Sequence, residues 1–122
     1  MKYIISIIRS CAVIGLAIVL SACGSSQERA KKTCEDSVMA YIMSQNFVKR
    51  ELRSPDSASF PNYYDKNGFV LVEYLGDCKH SIVAHVDAQN AFGVKTRNKY
   101  SAVMQNQLGT STWRKLELKI QR

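Results

Sequence analysis

Residues 69–87 read FVLVEYLGDCKHSIVAHVD. β-Branched and aromatic residues dominate 69–75, Gly76-Asp77 interrupts them, and Ile82, Ala84 and Val86 then alternate with Val83, His85 and Asp87. Successive side chains of a strand point to opposite faces, so this pattern predicts two strands joined by a tight turn, with one face for a core and one for water. The alternation resumes further along. Over 94–104, Lys95, Arg97 and Lys99 fall on one face and Val94, Thr96 and Tyr100 on the other. Over 113–120, Leu116, Leu118 and Ile120 face inward against Lys115, Glu117 and Lys119. Upstream, residues 60–64 fit a short edge strand, where Pro61 is tolerated, ahead of the turn signal Asp65-Lys66-Asn67-Gly68. Short turns between period-two runs predict an antiparallel meander of four to five strands.

A meander with one apolar face needs a cover, and residues 28–53 supply it. This segment has neither glycine nor proline, and Cys34, Val38, Tyr41, Gln45, Val48 and Leu52 recur at spacings of four and three. That spacing puts them on one face of a helix, which Met39, Ile42, Met43 and Phe47 widen. Ser54-Pro55 ends the helix, because proline disfavours helical backbone in the residue before it. The expected fold class is therefore α+β: an N-terminal helix packed on the meander, filling residues 28–122.

The first 22 residues have a different character. Lys2 and Arg9 are the only charges before CAVIGLAIVLSA, residues 11–22, which carry none. An apolar run of that length falls short of the roughly 20 residues needed to cross a hydrocarbon core. A basic start, a short apolar stretch and small residues before a break make a secretory signal. The alternative is an uncleaved signal anchor over 4–22, against which Arg9 inside the span counts.

Leu20-Ser21-Ala22-Cys23, followed by Gly24, resembles the lipobox of bacterial lipoproteins. The resemblance implies that residues 1–22 are removed, that Cys23 is lipidated with palmitate and becomes the first residue, and that 23–27 form a lipidated tether to the domain. Gly24 stands where an aspartate retains lipoproteins in the inner membrane, so the resemblance further implies outer-membrane localisation, with the domain facing the periplasm. More than one acyl chain makes such an anchor effectively permanent, at about 0.8 kcal/mol for each buried methylene.

Hydrophobic residues at 46% and charged residues at 22% belong to a folded chain rather than a disordered one. The full chain carries +7; with Lys2 and Arg9 removed, 15 basic residues face 10 acids, a net of +5. In an exported protein such an excess favours anionic lipid headgroups or lipopolysaccharide over nucleic acid, and an ordinary soluble basic surface is commoner than either.

Of four cysteines, Cys11 leaves with the signal and Cys23 takes the lipid, so Cys34 and Cys78 remain as a pair in a compartment that permits disulfides. Closing a loop of about 45 residues stabilises the fold by roughly 4 kcal/mol in the chain-entropy picture. The same cysteines with His80 and His85 supply metal-ligand chemistry. Strand geometry argues against that, since positions 80 and 85 point to opposite faces. We expect the Cys34–Cys78 disulfide, no metal and no cofactor.

Residues 87–93, DAQNAFG, admit two readings: a ligand-binding edge with Phe92 as anchor, or a connection in which Asn90 turns the backbone, Gly93 permits a bulge and Phe92 returns to the core. The connection is the commoner case. Together with VKTRNKYSAVM it resembles a motif of small exported bacterial domains, a likeness that assigns no catalytic residue. Lys95, Arg97 and Lys99 form a basic stripe suited to lipid phosphates or an acidic partner, although a solvated strand face is commoner. Tyr63, Tyr64, Tyr74 and Tyr100 make either an aromatic patch or buried tyrosines with wet hydroxyls.

Catalytic spacing is missing from the sequence: there is no Gly-x-Ser-x-Gly, no close acidic pair, no glycine-rich phosphate loop and no His-Glu-x-x-His. The expectation is a non-enzymatic envelope protein. Its size, lipobox and small stapled domain resemble the entry-exclusion lipoproteins of small mobilisable plasmids. The other expectation is an accessory lipoprotein of an envelope or secretion machine.

Overall fold

The computed structural model describes residues 20–122, with side chains described from residue 25 onward. Residues 1–19 of the signal segment expected over 1–22, and the Cys23 side chain on which lipidation is expected, lie outside what is described. Two helices, α1 (Leu20–Cys34) and α2 (Ser37–Glu51), and a 3₁₀ turn (Pro55–Ser57) precede four strands: β1 (Val70–Gly76), β2 (Lys79–Gln89), β3 (Lys95–Asn106) and β4 (Trp113–Gln121). The strands pair in chain order, each antiparallel to the next, as one open sheet. This is the α+β meander that the period-two runs predict.

The single helix expected over 28–53 is divided. Asp36 leaves helical backbone and its carboxylate accepts the Met39 N–H at 3.0 Å, capping α2. An aspartate three residues before the amide it accepts is an N-cap signal, and here it outweighs an uninterrupted helical pattern. The tether expected over 23–27 is also different, since those residues continue α1. α1 stays exposed over Ser25–Gln27 and approaches the domain where Cys34 joins Cys78.

α2 covers one face of the sheet with Ala40, Tyr41, Ser44 and Val48. They meet Ile82, Ala84 and Val86 of β2 and Tyr100, Ala102 and Met104 of β3. The expected helix face is rotated: Met39 and Ile42 are exposed, while small Ala40 and Ser44 are fully buried. Small side chains let the helix backbone approach the sheet. Ser44 satisfies its hydroxyl by donating to the Tyr41 carbonyl at 2.6 Å and by pairing with the Tyr100 hydroxyl at 3.2 Å. Burial raises the Tyr100 pKa, holding the phenol neutral.

β2 follows the alternation along its length, with His80, Ile82, Ala84, Val86 and Ala88 inward. β4 departs from it. Its register against β3 shifts between Val103 and Met104, so Leu116 falls in a bulge and is 44% exposed rather than inward. Residues 60–64 form no strand. The edge there is held by a single bridge, Ser59 to Asp87, and Pro61 has no N–H with which to extend it. Among the described residues no helix is long and apolar enough to cross a membrane.

Candidate functional site

The register of the β2–β3 hairpin assembles the outer face, the one α2 leaves open. His85 pairs with Lys99, Asp87 with Arg97 and Gln89 with Lys95, which places the three predicted cations side by side on that face. β2 adds Lys79 and β4 adds Arg114 and Lys119 to this face, against the acids Glu73 of β1, Asp87 of β2 and Glu117 of β4. The stripe predicted from spacing is thus part of a wider basic face.

Its members are not equivalent. Arg97 donates through Nε to Asp87 Oδ1 at 2.8 Å and through Nη2 to Oδ2 at 3.0 Å. This fork holds the Asp87 carboxyl below the usual carboxylate range and raises the guanidinium in turn. Lys99 lies over the Phe69 ring at 5.6 Å, and Phe69 stacks on His85 at 5.0 Å. Arg97 is therefore engaged within the protein, as is Arg114, whose Nε donates to Gln105 Oε1 at 2.9 Å, and the lysines of the face attract anions as point charges. Such a face draws a diffuse negative surface more than it recognises one discrete anion. Beside it His85, Asp87, Arg97, Phe69, Asp65 and Asn67 line an open cleft of about 320 Å³.

The Asp87–Arg97 pair is absent from the sequence expectation, yet its signal is there. A turn centred on Phe92 pairs every residue of β2 with the β3 residue symmetric about it, and 87 and 97 are such partners. Phe69 carries the same kind of signal: β1 and β2 pair symmetrically about residue 77, so position 69 continues that register opposite His85.

At the other end of the sheet Cys34 and Cys78 are joined, with Cα atoms 4.7 Å apart and a separation of 44 positions in sequence. The Tyr74 hydroxyl accepts the Cys78 N–H at 3.3 Å and sits 3.7 Å from Cys34 Sγ. His80 packs beneath, between the rings of Tyr74 at 5.1 Å and Trp113 at 5.7 Å. It is fully buried, and among the described residues neither ring nitrogen has a partner within hydrogen-bond geometry. Burial lowers its pKa, against the pull of the Glu35 backbone and of the Asp36 and Glu35 carboxylates. The ring is therefore neutral. His85 is on the opposite face of β2, as strand geometry predicts, and the two histidines do not come together.

The tyrosines do not gather into a patch. Tyr100 is buried under α2 and Tyr74 stands by the disulfide, while Tyr63 meets Tyr64 edge-on at 5.1 Å and Tyr41 at 6.1 Å.

Phe92 is the clearest departure. Expected to return to the core, it is 89% exposed at the hairpin tip. Asn90 Oδ1 accepts the N–H groups of Phe92 and Val94 at 2.9 and 3.1 Å, its own N–H donates to the Val94 carbonyl at 2.9 Å, and Gly93 takes a positive φ of 74°. These local bonds close the turn without using the phenyl ring. No family model, no curated protein and no solved structure matches this chain.

Proposed function

We propose that the chain is a lipid-anchored outer-membrane lipoprotein acting as a non-catalytic binding module of the cell envelope, with plasmid entry exclusion as its role. The observation that carries the binding reading is the open sheet face, where Lys95 and Lys99 flank the Arg97–Asp87 pair and face away from α2. The Leu20-Ser21-Ala22-Cys23 lipobox supplies the anchor, and partners of that face are anionic lipid or an acidic envelope protein. The non-catalytic reading rests on the lack of catalytic spacing in the sequence and on His80 and His85 lying on opposite faces.

Expression in recipient cells tests it. The intact gene should lower conjugative entry of a related plasmid, and Cys23→Ser should lose both the effect and incorporation of labelled palmitate. His85→Ala should behave as the parent. Unchanged mating frequency with the intact protein discards exclusion and leaves the accessory role in an envelope machine. Palmitate labelling of Cys23→Ser overturns the anchor.

A further inference from the structure

The end of the sheet that carries Phe92 combines features that no core or catalytic role uses. Phe92 and Val94 are 89% and 57% exposed, presented on a turn fixed by Asn90. Lys95 flanks them on the outer face. On the helix side, Arg53 and Arg122 line a groove of about 420 Å³ with Leu52, Ala88 and Ala91. Of the acids at this end, Asp87 is held by Arg97, and Glu51 and Asp56 flank the 52–54 connection. The result is a convex apolar tip with cations on both faces of the sheet behind it.

That arrangement matches a layered partner better than a protein pocket. A bilayer offers hydrocarbon for the projecting ring and, just above it, phosphates at the level of cations set back from the tip. Charge complementarity therefore selects the occupant. We propose that the β2–β3 hairpin tip is a membrane-contact element: Phe92 and Val94 enter the interfacial region of an anionic phospholipid bilayer while Lys95, Arg53 and Arg122 meet its phosphates. The proposal rests on the envelope reading, which places a bilayer within reach. The tip lies at the end of the sheet opposite Cys34 and α1, about 36 Å away along the eleven residues of β2.

The test uses the full chain carrying Phe92→Trp, reconstituted into vesicles of phosphatidylglycerol and phosphatidylcholine. Position 92 is exposed enough to take the new indole without disturbing the fold, and Trp113, 5% exposed, is the internal reference. Lipid brominated on its acyl chains is placed either in the vesicles holding the protein or in a second population mixed with them. The added emission should shift to the blue and be quenched in at least one arrangement, while Trp113 emission is unchanged. Lys95→Glu should lower the fraction of tips in contact by about fivefold for each unit of charge changed. No quenching in either arrangement overturns the proposal and leaves the tip to a protein partner. Equal quenching in purely zwitterionic vesicles also overturns it, since the cations then contribute nothing. Neither failure touches plasmid exclusion, which the mating assay reads separately.

Discussion

At the Cys78 end of the sheet, polar and aromatic groups are buried and a covalent bond holds them. At the Gln89 end, an apolar ring is left in water and a few backbone hydrogen bonds hold the turn beneath it. The first end keeps His80, Trp113 and Asn106 with orphaned polar atoms. A buried donor or acceptor without a partner costs about 1–3 kcal/mol. A disulfide constraining the unfolded chain offsets such a cost, and the other end has no need of one. Stability is concentrated where α1, α2 and two hairpin turns converge, and exposed chemistry is concentrated where only a four-residue turn must be kept. Binding surfaces on a rigid scaffold commonly show this separation.

The contrast can be broken at either end. Opening the cross-link should have the largest effect: Cys34→Ser with Cys78→Ser loses about 4 kcal/mol of unfolding free energy in the chain-entropy picture. Denaturant unfolding under oxidising conditions measures it, and a loss below about 1 kcal/mol would mean that the disulfide end is held by packing alone.

His80→Phe sharpens the account of the same end. A folded pKa below the ordinary imidazole value of about 6.5 means that the unfolded chain takes up the proton first as pH falls. The stability associated with neutral His80 is therefore complete above about pH 6.5 and declines as pH drops toward the folded value. His80→Phe keeps a ring between Tyr74 and Trp113 and should flatten the melting temperature between pH 7 and pH 5. An unaltered pH profile would show that other groups set the acid response.

Smaller effects belong to the tip. Asn90→Ala removes the acceptor of two backbone N–H groups and should cost about 1 kcal/mol, with amide exchange quickening at Phe92 and Val94 before the strands respond. The smallest is Phe92→Ser. At 89% exposure the ring contributes little to the fold, so unfolding free energy should change by less than about 0.5 kcal/mol. A larger loss in the full chain would show that Phe92 packs somewhere after all.

Much of the molecule was legible in the amino-acid order because period-two and helical spacings report directly which side chains share a face. The β2 alternation, the turn at Gly76-Asp77, the placement of Lys95, Arg97 and Lys99 together, and the pairing of Cys34 with Cys78 all follow from spacing and count. What spacing does not report is which of several apolar faces will find a cover. The rotation of α2 toward Ala40 and Ser44, the bulge that exposes Leu116, and the fork between Asp87 and Arg97 were decided by register and by the fit of one layer on another. Phe92 shows the reason most directly. Its hydrophobicity argues for the core, but the sheet ends before it, Asn90 and Gly93 close the turn around it, and among the described residues no second layer extends far enough to bury it.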